Sequence, residues 1–518
     1  MPLLSRRDLV VGGAALAAAT RLGPVSAQAS RPNLRIAVQA LPVTLEPVNA
    51  ISNVGNRITN ALFDTLIRRD FFADGSGSAT TLVPAIASSW KREDGRTLTV
   101  TIADNIRFHS GEPVTAKDVA FSFSAERAWG PKPMVPRGPL FSAEFESVEA
   151  TDGKTVRFRT KADDFSLEKR LASWIAWVVP EKRYRELGPE GFGLKPVGTG
   201  PYKLVEFIPG DRVVLEAFDD YYLGKPTARR VTFQVVPEVA TRAAGLISGD
   251  YDIACALTPD NLPLLKGQPH VEARSAMIEN VHLMVYQSNA PLLSDKRIRQ
   301  ALNLCIDREL INKTLWGGLA GITNGFQIPQ YGASYDAKRP GFKLDPAAAR
   351  ELLKAAGYKG EVLKFRTLND YYVNSVAAIQ MMQQMWKAAG LNVEIEILDQ
   401  WSQVLAPGMQ IRNWSNGFQF PDATTPLPTD WGPKGSVQNE HGWKAPEEFN
   451  TLAAKVRSLP DGEERKAAFQ RLLDIWEDEA PGAVLYRPAE IYGVRSNIRW
   501  KPVSFEFMEL RPYNLAFA

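Results

Sequence analysis

Hydrophobic and polar positions alternate with two different periods along the chain. The stretch "RTLTVTI" alternates Leu98, Val100 and Ile102 with threonines, which is the period of a half-buried strand. The longer stretch "SVAAIQMMQQMWKAAGLNVEIEIL" at 375–398 has helical spacing, then a glycine stop, then a second alternating segment. Because helices and strands recur in this order without a sequence repeat, the pattern predicts an α/β protein.

Polar residues mark where two of the predicted helices begin. Thr115, followed three residues later by Asp118, has the spacing of a capping box at a helix N-terminus. The amphipathic stretch 294–316 predicts one long helix with Ser294 as its N-cap. Cys305 falls on the apolar face of that helix, so we expect it to be buried by packing.

The first residues have the composition of an export signal. Arg6 and Arg7 precede an apolar stretch at 9–19, and a small-residue cleavage site ends at Ala27. This stretch is too short to span a bilayer, which needs about 20 apolar residues. We therefore interpret residues 1–27 as a signal peptide of the twin-arginine type. A short buried helix is the alternative. We expect a soluble protein in the periplasm, with the signal cleaved near the end of this segment.

Charge and cysteine content exclude several classes of protein. The 518 residues carry a formal net charge of only +3, with 45% hydrophobic and 23% charged positions. This nearly balanced charge argues against the basic patch that a nucleic-acid partner needs. Two cysteines, Cys255 and Cys305, do not make a disulfide framework. A single bridge between them stays an open alternative.

Motifs that carry chemistry are absent from the sequence or incomplete. The stretch "DGKT" at 152–155 resembles the end of a phosphate-binding loop, but Val148 stands where its first glycine belongs. The stretch "GTG" at 198–200 lacks the third glycine of a dinucleotide fingerprint, and no G-x-S-x-G elbow occurs. We expect no catalytic residue, no cofactor and no metal. A metal site built from distant loops and a secreted hydrolase stay open as remote alternatives.

Four segments resemble one family of binding proteins. They are "LVPAIASSWKREDGRTLTVTIADNIRFHSGEPVTAKDVAFSF" at 82–123, "VGTGPYKLVEFIPGDRVVLEAFDDYYLGKP" at 197–226, "VYQSNAPLLSDKRIRQALNLCIDRELI" at 285–311 and "LDPAAARELLKAAGY" at 344–358. In this order they are similar to the extracytoplasmic solute-binding proteins of peptide-type ABC transporters (family 5, cluster C), which include dipeptide, oligopeptide and nickel binders. The resemblance implies the α/β, two-lobed periplasmic-binding-protein fold of type II, with an extra inserted domain, hinged around a central ligand cleft.

The same resemblance implies where the domains begin and end. Lobe I would combine three separate segments, the inserted domain would interrupt it, and lobe II would follow. The expected boundaries are 32–70, 196–280 and 487–518 for lobe I, 71–195 for the inserted domain, and 281–486 for lobe II. The two segments that cross between the lobes, near 280 and 486, would form the hinge.

One carboxylate stands out in the expected second lobe. Asp422 begins a D-x-x-x-P loop, and in peptide-binding relatives the Asp of such a loop pairs with the ligand's α-ammonium. The resemblance therefore implies that Asp422 binds an amine or a donor-rich polyol, with a solvated turn or a catalytic acid as alternatives. Asn369 stands where dipeptide binders place an arginine for the ligand carboxylate, and an amide cannot neutralise a carboxylate. This departure leaves room for longer peptides and for sugar-like or opine-like ligands.

Further candidate contacts surround these two residues. Tyr371, Tyr372 and Phe420 are expected to line the pocket because they neighbour the two polar candidates in sequence. Three other candidates have a core or turn role as an equal or stronger alternative, and they are Trp401, Asn439 and Trp129.

The expected function is therefore capture and delivery of a solute. We expect a monomer that binds a di- or oligopeptide, or another small amine-bearing compound. It would hand this solute to the permease and ATPase subunits of an ABC importer at the inner membrane. A sugar-like or opine-like solute is the alternative. A sensor that presents its bound form to a receptor would use the same pocket.

Overall fold

Seven strands from distant parts of the chain form the larger of two central sheets. The computed structural model describes residues 31–142, 144–369 and 371–518, so the predicted signal peptide lies outside the described residues. In spatial order the strands are Val271–Met277, Ala489–Arg495, Ile253–Ala254, Asn33–Val38, Arg230–Val235, Arg212–Ala217 and Tyr202–Ile208. The strand that begins at Asn33 is parallel to both of its neighbours, and the other pairs are antiparallel.

The second central sheet has five strands and is packed on both faces. In spatial order they are Asn392–Leu398, Val362–Leu368, Ile411–Gly417, Asn280–Tyr286 and Gly482–Tyr486. Every residue of the fourth strand is buried. Met284 and Tyr286 enter one hydrophobic cluster, whereas Leu283 and Val285 enter another on the opposite face. A continuous apolar strand of this kind is typical of a sheet covered on both sides.

A third, antiparallel sheet has a hydrophobic cluster of its own. Its strands, in spatial order, are Ala87–Arg92, Thr97–Ile102, Thr155–Thr160 and Phe145–Ala150. The predicted strand with Leu98 and Val100 is thus confirmed, and both side chains belong to this cluster together with Phe158. Two short pairs complete the strands, namely Ile67–Asp70 with Thr81–Pro84 and Ile498–Arg499 with Ala516–Phe517.

Helices surround the sheets. The α-helices are Gly55–Leu62, Ala116–Ser122, Pro139–Ser142, Leu167–Leu171, Glu181–Leu194, Val239–Ser248, Leu262–Lys266, Lys296–Leu304, Arg308–Trp316, Pro346–Ala356, Ser375–Ala388, Trp401–Val404, Leu427–Asp430, Ser436–Asn439, Glu447–Ser458 and Glu463–Glu479. Two 3₁₀ segments, Pro259–Asn261 and Pro329–Ser334, and one π segment, Ala125–Trp129, are shorter. In the part of the chain that is described, no helix has the length and apolar character needed to cross a membrane.

The predicted helix starts are confirmed in one case and wrong in the other. The capping box is present, because Thr115 N donates to Asp118 Oδ2 at 2.9 Å and Asp118 N donates back to Thr115 Oγ1 at 3.4 Å. The stretch 294–316, however, is two helices, and the second begins at a new N-cap, Asp307, whose carboxylate accepts from Leu310 N at 2.9 Å. The apolar period continues across this break, so the hydrophobic pattern alone does not reveal it.

The N-cap of the first of these helices also differs from the prediction. Asp295 caps it by accepting from Arg297 N at 2.9 Å, whereas Ser294 donates to a preceding carbonyl oxygen.

Both cysteines are free and buried. Cys305 packs in a cluster of the five-stranded sheet, as predicted, and Cys255 packs in that of the seven-stranded sheet. The two cysteines are therefore not bridged.

The chain crosses between the two central sheets twice, and the crossing segments touch each other. The first crossing contains Ile278 and Glu279, and the second contains Pro488. Ile278 N donates to the carbonyl oxygen of Pro488 at 3.1 Å, and Glu279 forms a buried ion pair with Arg69 at 2.6 Å. These segments lie where the sequence predicts the hinge. That role, like the domain boundaries, stays a prediction.

Candidate ligand-binding cleft

A cavity of about 830 Å³ lies where the three sheets approach one another. Its walls come from residues 51–56 with Glu506, from residues between 137 and 174, and from Asn280 with residues between 414 and 458. These segments belong to the surroundings of the seven-, four- and five-stranded sheets respectively. The volume is within the range of roughly 300–1,000 Å³ that is usual for small-molecule pockets.

One wall of the cavity is the end of two paired strands. Residues 414–417 line it, and Asn280, which begins the antiparallel neighbour, pairs with Gly417. Ser415 Oγ donates to Asn280 Oδ1 at 3.0 Å, so the two polar side chains hold each other in place. The wall is therefore polar and preorganised by the sheet beneath it.

Two carboxylates on the cavity wall have amide partners and no protein cation. Glu506 is 7% exposed and accepts a hydrogen bond from Asn280 Nδ2 at 3.1 Å. Asp430 is half-buried and accepts from Asn416 Nδ2 at 2.5 Å. Within the described ranges neither forms an ion pair. Burial raises the pKa of both carboxyl groups, that of Asp430 to about 6. Their negative charges are therefore costly in the absence of a bound cation.

Two arginines on the wall differ in their partners. Arg137 is half-buried, and its Nη1 donates to the Ile51 carbonyl oxygen at 2.8 Å. Burial lowers the pKa of this guanidinium, and among the residues that the structure describes it has no carboxylate within ion-pair distance. Arg170, by contrast, pairs with Asp164 at 2.6 Å. Arg137 thus retains donors that can face an anionic group.

Asp422 lies behind the cavity wall rather than on it. Its carboxylate is buried, and Arg465 binds both oxygens, with Nη1 at 3.0 Å from Oδ2. Lys169 Nζ lies 2.7 Å from the same oxygen. Burial by itself raises the pKa of this carboxyl group, but Lys169 and Arg465 together lower the pKa to about 2. The alternative of a solvated turn is therefore wrong. The predicted pairing with a ligand ammonium stays a prediction, and it would require Lys169 to leave.

Three of the predicted aromatic contacts form a cluster outside the cavity lining. The rings of Tyr371 and Trp401 meet edge to face at 4.6 Å, and Tyr372 stacks on His282 at 3.6 Å. The Tyr371 hydroxyl accepts from Ser415 N at 2.9 Å, and Ser415 lines the cavity. Tyr371 therefore supports a wall residue from behind.

The other four predicted residues are scattered. Phe420 lines the cavity and is 4% exposed, with the Arg170 guanidinium 5.7 Å from its ring. Asn369 is exposed and does not line the cavity. Asn439 uses its amide on carbonyl oxygens of its own turn, and Trp129 donates to a carbonyl oxygen six residues earlier at 2.8 Å. Of the eight predicted site residues, the cavity is thus lined by Phe420 alone.

Among the cavity residues that the sequence does not identify are Asn56, Arg137, Asp430 and Glu506. The sequence does give a reason to consider Glu506 as a site residue. It lies between two phenylalanines in "SFEFMEL", where an acid is costly to bury. The other three lie among ordinary polar and small neighbours. Only the folded chain shows that they face one space.

Comparison with known proteins identifies the relatives of this chain. The family described as "Bacterial extracellular solute-binding proteins, family 5 Middle" matches residues 81–438. The dipeptide-binding protein of Escherichia coli (strain K12) is 24% identical over 452 residues, covering 81% of this chain and 83% of that protein. The glutathione-binding protein GsiB of Pectobacterium atrosepticum is 27% identical over 399 residues, covering 76% and 74%. The periplasmic binding protein DppA from Helicobacter pylori, solved with the peptide STSA, has a TM-score of 0.81 at 22% identity and covers 94% of this chain and 98% of its own.

The fold, the cleft and these matches define a class of protein, the extracytoplasmic solute-binding proteins that work with ABC transporters. The chain belongs to the bacterial extracellular solute-binding proteins of family 5. Its fold is the mixed α/β, two-lobed fold of the periplasmic binding proteins, as the sequence predicts. It is a binding protein and not an enzyme, so the predicted function class is confirmed.

Proposed function

We propose that this protein captures a small amine-bearing solute, such as a di- or oligopeptide, in the cleft and delivers it to the permease and ATPase subunits of an importer at the inner membrane. One observation carries the proposal: two carboxylates of the cavity wall, Glu506 and Asp430, are buried or half-buried and form no ion pair in the described part of the chain. A buried carboxylate without a cation is costly, and a solute amine would remove that cost. The names of the dipeptide-binding and glutathione-binding relatives support a peptide-like solute.

A carboxylate on the solute is supported by Arg137. Its guanidinium lines the cavity and donates to a single backbone oxygen there, so it has further donors for an anion. Peptides carry an amine and a carboxylate together, and so do opine-like compounds, which are the second candidate. A sugar-like solute has no charged groups to pair with the carboxylates and the arginine of the cavity wall. We therefore rank it below peptides and opine-like compounds.

The proposal includes closure of the lobes around the solute. Lobe I would comprise 32–70, 196–280 and 487–518, and the inserted domain 71–195 would interrupt it. Lobe II would comprise 281–486. The three separate sheets, each with its own hydrophobic cluster, support this division. The two touching crossing segments support rotation about a common axis.

The proposal also covers export and assembly. The protein would act in the periplasm as a monomer after twin-arginine export. We expect that changing Arg6 and Arg7 together to lysine leaves full-length precursor in the cytoplasm, while the control Arg21→Lys, outside the pair, is exported normally. Immunoblots of cell fractions measure this outcome. Normal export of the double variant would show that the general secretory route is used.

Native mass spectrometry of protein purified from the periplasm tests the binding role directly. We expect the native protein to carry one small molecule that is absent after denaturation, and the released molecule to contain an amine. Adding it back to ligand-free protein should restore the complex with the molecule unaltered. A chemically altered molecule would contradict the binding role, and a retained neutral molecule would contradict the amine.

A further inference from the structure

Glu506 is the more deeply buried of the two uncompensated carboxylates of the cleft. Asn280 Nδ2 occupies one of its oxygens, Oε1, at 3.1 Å. Burial raises the pKa of this carboxyl group, and hydrogen bonds from Asn280 and Asn56 only partly oppose that effect. The carboxylate is thus held by neutral amides, and its charge is not cancelled.

Arg57 acts on Glu506 and lowers its pKa, but its guanidinium is already engaged with other residues. Arg57 is buried, and its Nη2 lies 2.7 Å from Glu490 Oε1. Its Nη1 donates to Gln39 Oε1 at 2.9 Å. Glu490 itself contributes further negative charge near Glu506 and raises the pKa of that group. Arg57 therefore pairs directly with Glu490, and it lowers the pKa of Glu506 less than Glu490 raises it, so negative charge remains in excess.

A second polar side chain beside Glu506 has an unused acceptor. Asn56 is 3% exposed and lines the cavity. Its Oδ1 accepts no hydrogen bond from any residue that the structure describes. Buried acceptors without a partner are rare in folded proteins, and each is costly. A donor supplied by the solute would serve both Asn56 and the carboxylate.

We propose that the ammonium group of the solute binds Glu506, beside Asn56, and not Asp422. This inference rests on the proposed function and specifies its cation subsite. An ammonium is a compact charge with three donors, so it can bind the carboxylate and the unused Asn56 Oδ1 together. A guanidinium fits less well, because its bidentate pairing needs both carboxylate oxygens and Asn280 holds one of them.

The charge state of Asp422 supports the same assignment. Lys169 and Arg465 bind both of its oxygens, and the residue does not line the cavity. A solute ammonium at Asp422 would have to replace an ammonium of the protein and would gain little. The same ammonium at Glu506 meets a carboxylate that forms no ion pair with any described residue.

The test uses Glu506→Gln, which keeps the shape and removes the charge, and Glu149→Gln as the matched control. Glu149 is exposed and does not line the cavity. The probe is the low-molecular-weight fraction of a tryptic digest of casein, used as it is and after acetylation of its amines. Thermal stabilisation of ligand-free protein is titrated with each probe. We expect the wild type and Glu149→Gln to respond to the untreated digest only, and Glu506→Gln to need at least about 30-fold more of it.

Three outcomes would overturn the assignment. Glu506→Gln could respond like the wild type, or the acetylated digest could stabilise the wild type as well as the untreated one. Glu506→Gln could also lower the melting temperature of the ligand-free protein at neutral pH, which would show that protein groups already compensate the charge. If the wild type responds to neither digest, the proposed peptide-like function fails together with the subsite. A response to the untreated digest that survives Glu506→Gln removes the subsite alone.

Discussion

Asp422 and Glu506 are two acids with nearly the same burial and opposite surroundings. Their residues are 1% and 7% exposed, so both have lost most of their contact with water. Asp422 is bound by the guanidinium of Arg465 and the ammonium of Lys169, whereas Glu506 accepts from neutral amides. Burial acts on both in the same direction, but the pKa of Asp422 is lowered to about 2 and that of Glu506 is raised.

The difference distinguishes an acid that holds the structure together from one that is available to a solute. A desolvated carboxylate with its own cations stabilises the fold and offers nothing to a solute cation. A desolvated carboxylate without them weakens the empty protein and gains from binding. With the solute ammonium assigned to Glu506, as we propose, the motif that draws attention to Asp422 marks a structural site, and the binding charge lies elsewhere on the cleft.

The largest expected effect is on stability, from Asp422→Asn. The change leaves the buried Arg465 and the partly buried Lys169 without their carboxylate. Removing one partner of such a buried pair typically costs about 3–5 kcal/mol in the free energy of unfolding. Urea denaturation of the ligand-free protein measures it.

Asp461→Asn is the matched control, because Asp461 contacts the same two cations but its side chain is 50% exposed. Its loss should be less than about 1 kcal/mol. If Asp422→Asn unfolds at the wild-type urea concentration and yet binds the solute weakly, the comparison is reversed, and Asp422 is the counter-ion of the solute.

A smaller effect is expected from Lys169→Met. Lys169 lies in the helix Leu167–Leu171 beside the four-stranded sheet and reaches Asp422 beside the five-stranded sheet. Its loss should cost on the order of 1–3 kcal/mol, because Arg465 still neutralises the carboxylate. X-ray scattering should also show a larger radius for the ligand-free variant, since one contact that closes the cleft is gone. The exposed Lys182→Met should change neither quantity.

The smallest expected effect depends on pH and comes from Asp430→Asn. Burial raises the pKa of the folded carboxyl group from 3.8 to about 6, whereas the unfolded chain keeps the ordinary value. As the pH rises from about 4 to 6, the unfolded state loses its proton first, so the wild type loses stability, and the loss is complete above about 6.

Asp430→Asn should therefore be more stable than the wild type at pH 8, by at most about 3 kcal/mol for a shift of this size, and this gain should vanish towards pH 4. Melting curves across this range measure it, with Asp163→Asn as a control that should show no such trend. A variant that is less stable at pH 8 would mean that Asp430 has a counter-ion in the ligand-free protein.

Local interactions explain which parts of the molecule can be predicted from the sequence. The capping box at Thr115 and the alternating strand with Val100 depend on residues a few positions apart, and both are present. The break at Asp307 is also local, but a continuous apolar pattern hides it. The sheet order could not be read in this way, because strands such as Ile253–Ala254 and Ala489–Arg495 pair across most of the chain.

For the charged residues of the cleft, sequence-based prediction fails because their partners are far away in the chain. Arg465 is 43 residues from Asp422 in sequence, and Lys169 is 253 residues away. No spacing rule connects such partners, so a motif can indicate where Asp422 lies but not what neutralises it. Glu506 and Asn280 are separated by 226 residues, and only the folded chain brings them together.

The two touching crossing segments have a mechanical consequence. Ile278 is tied to Pro488, and Glu279 is anchored to Arg69, so the first residue free to turn with the five-stranded sheet is Asn280. The amide of Asn280 is the group that holds Glu506. If the predicted hinge turns at this joint, that hydrogen bond lengthens or shortens, and the pKa of the Glu506 carboxyl group changes with the angle between the two lobes.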